Sequence, residues 1–124
     1  MKRILIVDDS ETARMFIRKC LEIAGEREAE FLEAGNGTEA LSLLESSQVD
    51  LIVTDLNMPG MDGMELLWHV RARKDWKKPP VLVITSAKNP AREAELLSLG
   101  ASAVLAKPIS PAILAREISA IEKP

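Results

Sequence analysis

The chain has 124 residues, of which 47% are hydrophobic and 28% charged, and its net charge is −3; these values predict one globular domain over residues 1–124 rather than a disordered chain. Because the chain has only one cysteine, Cys20, and one histidine, His69, it cannot form an intramolecular disulfide or a zinc site made of such ligands. The lack of a basic surplus argues against direct nucleic-acid binding. Because no apolar run approaches the ~20 residues that span a bilayer, and the first residues show no signal-peptide pattern, we expect a cytoplasmic protein without membrane insertion.

Five short apolar runs alternate with longer amphipathic segments, and each run is predicted to form a β-strand. The first, third and fourth runs are almost continuously apolar, which is typical of parallel strands that are covered on both faces. The second run is the least regular. The predicted strands are Arg3–Val7, residues 29–33, residues 51–54, Val81–Thr85 and Ala103–Ala106.

Five helices are predicted between and after these strands. The first carries an apolar stripe at three- and four-residue spacing. Each of the other four opens with a residue whose side chain can cap the first turn. The cap residue is followed either by a Glu three positions later or by a proline at the first helical position. These pairs are Asn36 with Glu39, Asp62 with Glu65, Asn89 with Pro90, and Ser110 with Pro111. Gly25 and Gly100 are placed to end the first and fourth helices.

The strand–helix alternation predicts an α/β fold. Five βα units joined by right-handed crossovers form an open, doubly wound parallel sheet with helices on both faces. In such sheets the ligand site lies beyond the carboxyl ends of the strands. The residues at those ends are therefore the candidates for function.

Polar side chains follow four of the five predicted strands: Asp8 and Asp9, Asp55, Thr85, and Lys107. Taken singly, each has a structural interpretation, because Asp9 or Ser10 could cap the first helix and Thr85 could be an ordinary strand residue. Taken together, three carboxylates in one pocket repel each other and need compensation. A hard divalent cation such as Mg²⁺, which prefers oxygen ligands, and the ammonium of Lys107 would supply it.

This set of residues predicts phosphoryl chemistry. A carboxylate beside such a cation can attack phosphorus and form an aspartyl phosphate. Lys107 and the hydroxyl of Thr85 are suitable partners for the oxygens of the phosphoryl group. The residue two positions after Asp55 is Asn57, so no general base stands there, and we expect the adduct to hydrolyse slowly.

Four segments carry a resemblance to a known family: ILIVDDS, DLIVTDLNMPGMDG, VLVITSA and LGASAVLAKPI. Over essentially its whole length the chain resembles response-regulator receiver domains, most closely the stand-alone chemotaxis type. The resemblance implies a flavodoxin-like (βα)5 fold with strand order 2-1-3-4-5. It also implies a cis peptide bond between Lys107 and Pro108.

The resemblance also implies roles for the site residues. Asp55 would be the phosphoacceptor, and Thr85 and Lys107 the pair that binds the phosphoryl group. For Mg²⁺, Asp9 would be a direct ligand and Asp8 would contribute through water. Asp55 and the backbone carbonyl of Asn57 would complete the protein ligands.

Partners follow from the same resemblance. The phosphoryl donor would be a phosphohistidine on a sensor histidine kinase or phosphotransfer protein, or a small molecule such as acetyl phosphate. A downstream protein would bind the face made by the fourth helix, fifth strand and fifth helix.

The resemblance further implies that the chain would not be a conventional enzyme, although it would support its own phosphorylation and slow dephosphorylation. Val104 departs from the family, which usually has an aromatic switch residue three positions before its lysine.

Two alternatives stay open from the sequence. A phosphatase of the haloacid-dehalogenase type uses similar residues, but usually has a second Asp where this chain has Asn57. A protein-interaction module that works without phosphorylation is the other alternative. The intact acidic set argues against it.

Overall fold

The computed structural model describes residues 1–76 and 78–122. Its centre is one parallel sheet of five strands in the order β2-β1-β3-β4-β5, which confirms the predicted fold and strand order. The strands are β1 (Arg3–Val7), β2 (Glu30–Ala34), β3 (Leu51–Asp55), β4 (Val81–Thr85) and β5 (Ala103–Ala106).

Five helices connect and follow the strands, as predicted. They are α1 (Glu11–Ile23), α2 (Gly37–Ser46), α3 (Gly63–Ala72), α4 (Pro90–Ser98) and α5 (Pro111–Glu122). Within the described part of the chain, no helix combines the length and the apolar character that crossing a membrane requires.

The continuously apolar strands are explained by two core layers, one on each face of the sheet. Alternate strand side chains point to opposite faces, so Leu5 joins the layer under α2, α3 and α4, whereas Ile4 and Ile6 join the layer under α1 and α5. Every residue of β3 and β4 is buried. Polar residues of these two strands can therefore reach a ligand only at the end of the sheet.

Helix caps position the loops at that end. Ser10, and not Asp9, caps α1 through a hydrogen bond from the Ala13 N–H to the Ser10 Oγ (3.2 Å). The expected cap hydrogen bonds also form at the starts of α2 to α5, where the accepting side chains are those of Asn36, Asp62, Asn89 and Ser110.

Two glycines end helices at the opposite end of the sheet. Gly25 and Gly100 follow α1 and α4 with positive φ angles, as their predicted role in ending these helices requires.

Two predicted strands had boundaries that were wrong by one residue: the second at both ends, since it ends at Ala34 instead of residue 33, and the third at its end. The second strand begins at Glu30 instead of residue 29, because the Ala29 N–H closes a turn onto the Glu26 carbonyl and pairing with β1 starts only at Glu30. The third strand includes Asp55, which pairs with Ile84 of β4. The backbone of Asp55 is therefore held in the sheet rather than in the following loop.

Candidate functional site

Three carboxylates meet at the carboxyl end of the sheet. Asp8 and Asp9 directly follow β1, and Asp55 ends the adjacent strand β3. One oxygen from each carboxylate lies within 4.8 Å of the others. Asp8 and Asp55 are buried, whereas Asp9 is exposed. The structure thus brings the predicted acidic residues into one cluster, of which Asp9 is the exposed member.

Lys107 brings a positive charge to this cluster. Its Nζ lies 3.3 Å from Asp55 Oδ1 and 3.7 Å from Asp8 Oδ2. The lysine is held there by its backbone N–H, which donates to the Thr85 carbonyl (2.9 Å), and the following peptide bond to Pro108 is cis, as expected. One ammonium faces three carboxylates, so the cluster keeps a negative excess that attracts a cation.

The environment of Asp55 raises the pKa of its carboxyl group above the ordinary value. Burial is the main cause, because it penalises the charged form, and the negative charge of Asp8 adds to it. The Lys107 ammonium and a hydrogen bond from the Asn57 backbone N–H oppose the increase. A further cation at the cluster would favour the ionised, nucleophilic form of Asp55.

The hydrogen bonding of Asp8 shows whether the acidic cluster is suited to a metal ion. Its Oδ1 accepts a hydrogen bond from the Ser10 N–H (2.9 Å), but its buried Oδ2 has no hydrogen-bond partner among the described residues. An unsatisfied buried acceptor costs about 1–3 kcal/mol. A hard cation or one of its water ligands would satisfy it, and an all-oxygen donor set suits Mg²⁺. The residues present therefore fit this ion.

Thr85 stands at the same end of the sheet, on β4, and is fully buried. Its Oγ1 accepts a hydrogen bond from the Ala87 N–H (3.1 Å), which ties the hydroxyl to the loop that leads to α4.

Asn57 is exposed in the loop between β3 and α3. Val104 is 3% exposed and packs in the core layer under α4, so an aliphatic side chain fills that position.

Two residues near the site were not identified from the sequence. Arg14 of α1 donates from Nη1 to the backbone carbonyl of Asp8 (2.7 Å) and from Nε to Glu33 Oε1 (2.9 Å), which fixes the turn that carries Asp8. An arginine on the polar side of a helix gives no sequence signal for such a contact. Gly63 lies at the last position of the DLNMPGMDG segment, and its N–H donates to the Leu56 carbonyl (2.8 Å).

The chain is similar to a known family and to several proteins of that family. A family model described as the response regulator receiver domain matches residues 4–119. The chemotaxis protein CheY of Pseudomonas aeruginosa is 39% identical over 96% of this chain and 94% of its own length. Chemotaxis protein CheY-3 of Vibrio cholerae is 36% identical over 96% and 90%, respectively.

Solved structures give the same result. The chemotaxis protein CheY4 of Vibrio cholerae superposes with a TM-score of 0.85 at 33% identity, over 98% of each chain. The signal receiver domain of a DNA-binding response regulator from Colwellia psychrerythraea superposes with a TM-score of 0.88 at 25% identity, also over 98% of each chain.

Proposed function

The chain belongs to the response regulator receiver domain family, whose CheY-like members are signalling proteins rather than conventional enzymes, and on that premise we propose that it is a switch that accepts a phosphoryl group on Asp55. The observation that carries this proposal is the placement of a buried Asp55 carboxylate 3.3 Å from the Lys107 ammonium, inside the acidic cluster. We assign the receiver function to residues 1–124 as one unit.

The proposed reaction uses the site residues as follows. A carboxylate oxygen of Asp55 forms a bond to the phosphorus atom of the donor while the bond from phosphorus to the leaving atom breaks, and the electron pair of that bond departs with the histidine nitrogen of a phosphohistidine or the bridging oxygen of acetyl phosphate. Lys107 binds a phosphoryl oxygen and offsets its charge, and the Thr85 hydroxyl donates to another. The low exposure of Asp55 limits the access of bulk water, and Asn57 offers no general base, so the aspartyl phosphate persists as a signal.

Asp8, Asp9, Asp55 and the backbone carbonyl of Asn57 would hold the Mg²⁺ ion, with Asp8 acting through water. When bound, the ion supplies positive charge that offsets the repulsion among the carboxylates and the charge of the incoming phosphoryl group. The buried Asp8 Oδ2, which accepts no hydrogen bond from the described residues, supports this assignment.

The proposed signal starts at Thr85. When the hydroxyl turns to the phosphoryl group, its hydrogen bond from the Ala87 N–H breaks. The loop before α4 is then released, and the population of loop conformations shifts. The donor would be a sensor histidine kinase, a phosphotransfer protein or acetyl phosphate. The signal would be read in the cytoplasm by a protein that binds the face formed by α4, β5 and α5. Val104 is too short to act as the aromatic half of the switch.

Intact-mass spectrometry after incubation with acetyl phosphate tests the proposal. We expect the gain of one phosphoryl group with Mg²⁺ and none when EDTA removes the ion. Rapid, repeated hydrolysis of p-nitrophenyl phosphate would instead favour the phosphatase alternative. No adduct together with no Mg²⁺ binding would favour an interaction module that works without phosphorylation.

Magnesium is expected to stabilise the folded protein, because it binds the native acidic cluster and not the unfolded chain. At a concentration one hundred times its Kd, an ion raises the free energy of unfolding by about 2.7 kcal/mol. Replacing the exposed Asp9 with Asn removes a direct ligand and most of this gain. Thermal unfolding with and without Mg²⁺ measures it. Asp62→Asn, which keeps its helix cap, is the control; an equal gain in Asp9→Asn would contradict the assignment.

Arg14 is expected to influence Mg²⁺ binding without touching the ion. Arg14→Ala removes the hydrogen bond to the Asp8 carbonyl, so the turn that carries Asp8 and Asp9 loosens. We expect the Kd for Mg²⁺ to rise about tenfold, which is within the range for residues that orient metal ligands. Titration calorimetry measures the change. Arg18→Ala, four residues along the same helix, is the control. An unchanged Kd in Arg14→Ala would show that Arg14 only supports the fold.

A further inference from the structure

A groove opens beside the acidic cluster, between the first turns of α1 and the segment that joins β5 to α5. Its volume is about 320 Å³, which is within the ~300–1,000 Å³ typical of small-molecule sites. The proposed phosphoryl chemistry does not use this space. The residues that line it are Asp8, Ala13, Phe16, Ile17, Ile84, Lys107, Pro108 and Ile109.

The groove has one polar end and an apolar body. Asp8 and Lys107 form the polar end, and the Lys107 Nζ is 3.3 Å from the acceptor carboxylate of Asp55. The remaining lining residues carry no charge. Ile17 and Ile109 are buried, whereas the large Phe16 side chain remains 51% exposed. Apolar area on Phe16 is therefore available to a ligand that enters the groove.

We propose that this groove binds the apolar body of a small-molecule phosphodonor, so that the protein prefers acyl phosphates with a bulky hydrocarbon group over acetyl phosphate. This inference rests on the proposed function, because the phosphoryl end of the donor must lie at Asp55. Lys107 links the two parts, since it lines the groove and also faces the acceptor. A charged body would be disfavoured by the apolar walls.

The transfer step is the same for every such donor. An Asp55 carboxylate oxygen forms a bond to phosphorus while the bond from phosphorus to the bridging oxygen of the donor breaks. The electron pair leaves with that oxygen, so a carboxylate R–COO⁻ is released and Asp55 becomes an acyl phosphate. The methyl group of acetyl phosphate is too small to fill the groove, whereas a phenyl ring on a short tether can contact Phe16.

The test compares acetyl phosphate with 3-phenylpropanoyl phosphate, two donors whose parent acids have nearly the same acidity. Rates of adduct formation are followed by intact-mass spectrometry over a range of donor concentrations with Mg²⁺ present. We expect the half-saturating concentration of the phenyl donor to be about tenfold lower, because the ring buries apolar surface in the groove. The non-transferable analogue 3-phenylpropylphosphonate should also inhibit the reaction with acetyl phosphate.

Variants of neighbouring residues on α1 test the location. Phe16→Ala should reduce the preference for the phenyl donor to about threefold or less. Met15→Ala is the matched control, because Met15 is 63% exposed and does not line the groove. Equal half-saturating concentrations for both donors in the wild type, or the same preference in Phe16→Ala, would overturn the inference. Adduct with neither donor would also overturn the inference, and together with a lack of Mg²⁺ binding it would contradict the proposed function as well.

Discussion

Replacing Asp55 with Asn is expected to abolish phosphorylation. An amide cannot supply the nucleophilic oxygen, so adduct formation with acetyl phosphate and Mg²⁺ should fall by more than about a hundredfold, to the limit of detection by intact-mass spectrometry. The shape of the side chain is nearly conserved. The loss therefore reports chemistry rather than packing, provided that the variant folds.

The stability of the same variant provides a second measurement. Burial and the charge of Asp8 together outweigh Lys107 and raise the pKa of Asp55, so the ionised carboxylate is less favourable in the folded protein than in the unfolded chain at neutral pH. Asn removes this charge. We therefore expect Asp55→Asn to unfold at the same or a higher urea concentration than the wild type in EDTA.

A neighbouring acid serves as the control for Asp55→Asn. Asp62 caps α3 by accepting a hydrogen bond from the Glu65 N–H (2.9 Å), and Asn is an equally good cap. Asp62→Asn should form the adduct at the wild-type rate. Adduct of equal yield in Asp55→Asn would show that another carboxylate accepts the phosphoryl group, and a variant that unfolds at once would show that Asp55 has a structural role.

The general architecture could be predicted from the sequence because burial leaves a simple pattern. β1 and β4 are covered on both faces, so they appear as continuous apolar runs with correct boundaries. The apolar pattern stops one residue before the end of β3, because Asp55 is polar although its backbone pairs with Ile84. A functional side chain on a buried strand breaks the pattern that identifies the strand.

Local caps show a second limit. Asn36 caps α2 as predicted, but the Glu39 side chain accepts from the Gly35 N–H (2.8 Å) rather than closing the usual reciprocal box with the cap residue itself. Spacing shows that the two side chains can reach the helix start, but not which backbone group each one binds. The same applies to Arg14, whose contact with the Asp8 carbonyl depends on tertiary structure alone.

Gly63 is the clearest case of a residue whose role depends on distances in the folded chain. A Cβ atom at this position would lie 2.5 Å from the Asp55 carbonyl oxygen and 2.9 Å from the Leu56 Cα, both of them backbone atoms. That backbone cannot easily retreat, because the Leu56 N–H is bonded to the Ile84 carbonyl (2.9 Å) and Asp55 is paired within the sheet. Only glycine allows α3 to start this close to β3, the strand that ends in Asp55.

Gly63→Ala is therefore expected to destabilise the protein by about 3 kcal/mol, because the methyl group forces the start of α3 away from β3. Intrinsic helix propensity predicts the opposite sign, since Ala in a helix is favoured over Gly by about 1 kcal/mol. Urea unfolding decides between the two. The displaced Asp55 should also accept the phosphoryl group from acetyl phosphate about tenfold more slowly, because small misplacements of a reacting group are costly.

Gly35→Ala is the matched control for this effect. A Cβ atom at Gly35 meets only the flexible ends of Glu39 (3.4 Å) and Arg14 (3.7 Å), and Gly35 does not have a positive φ angle. The free energy of unfolding should change by less than about 0.5 kcal/mol, as for an ordinary surface substitution. If Gly63→Ala is as stable as Gly35→Ala, then α3 can shift without cost, and its close approach does not restrain the position of Asp55.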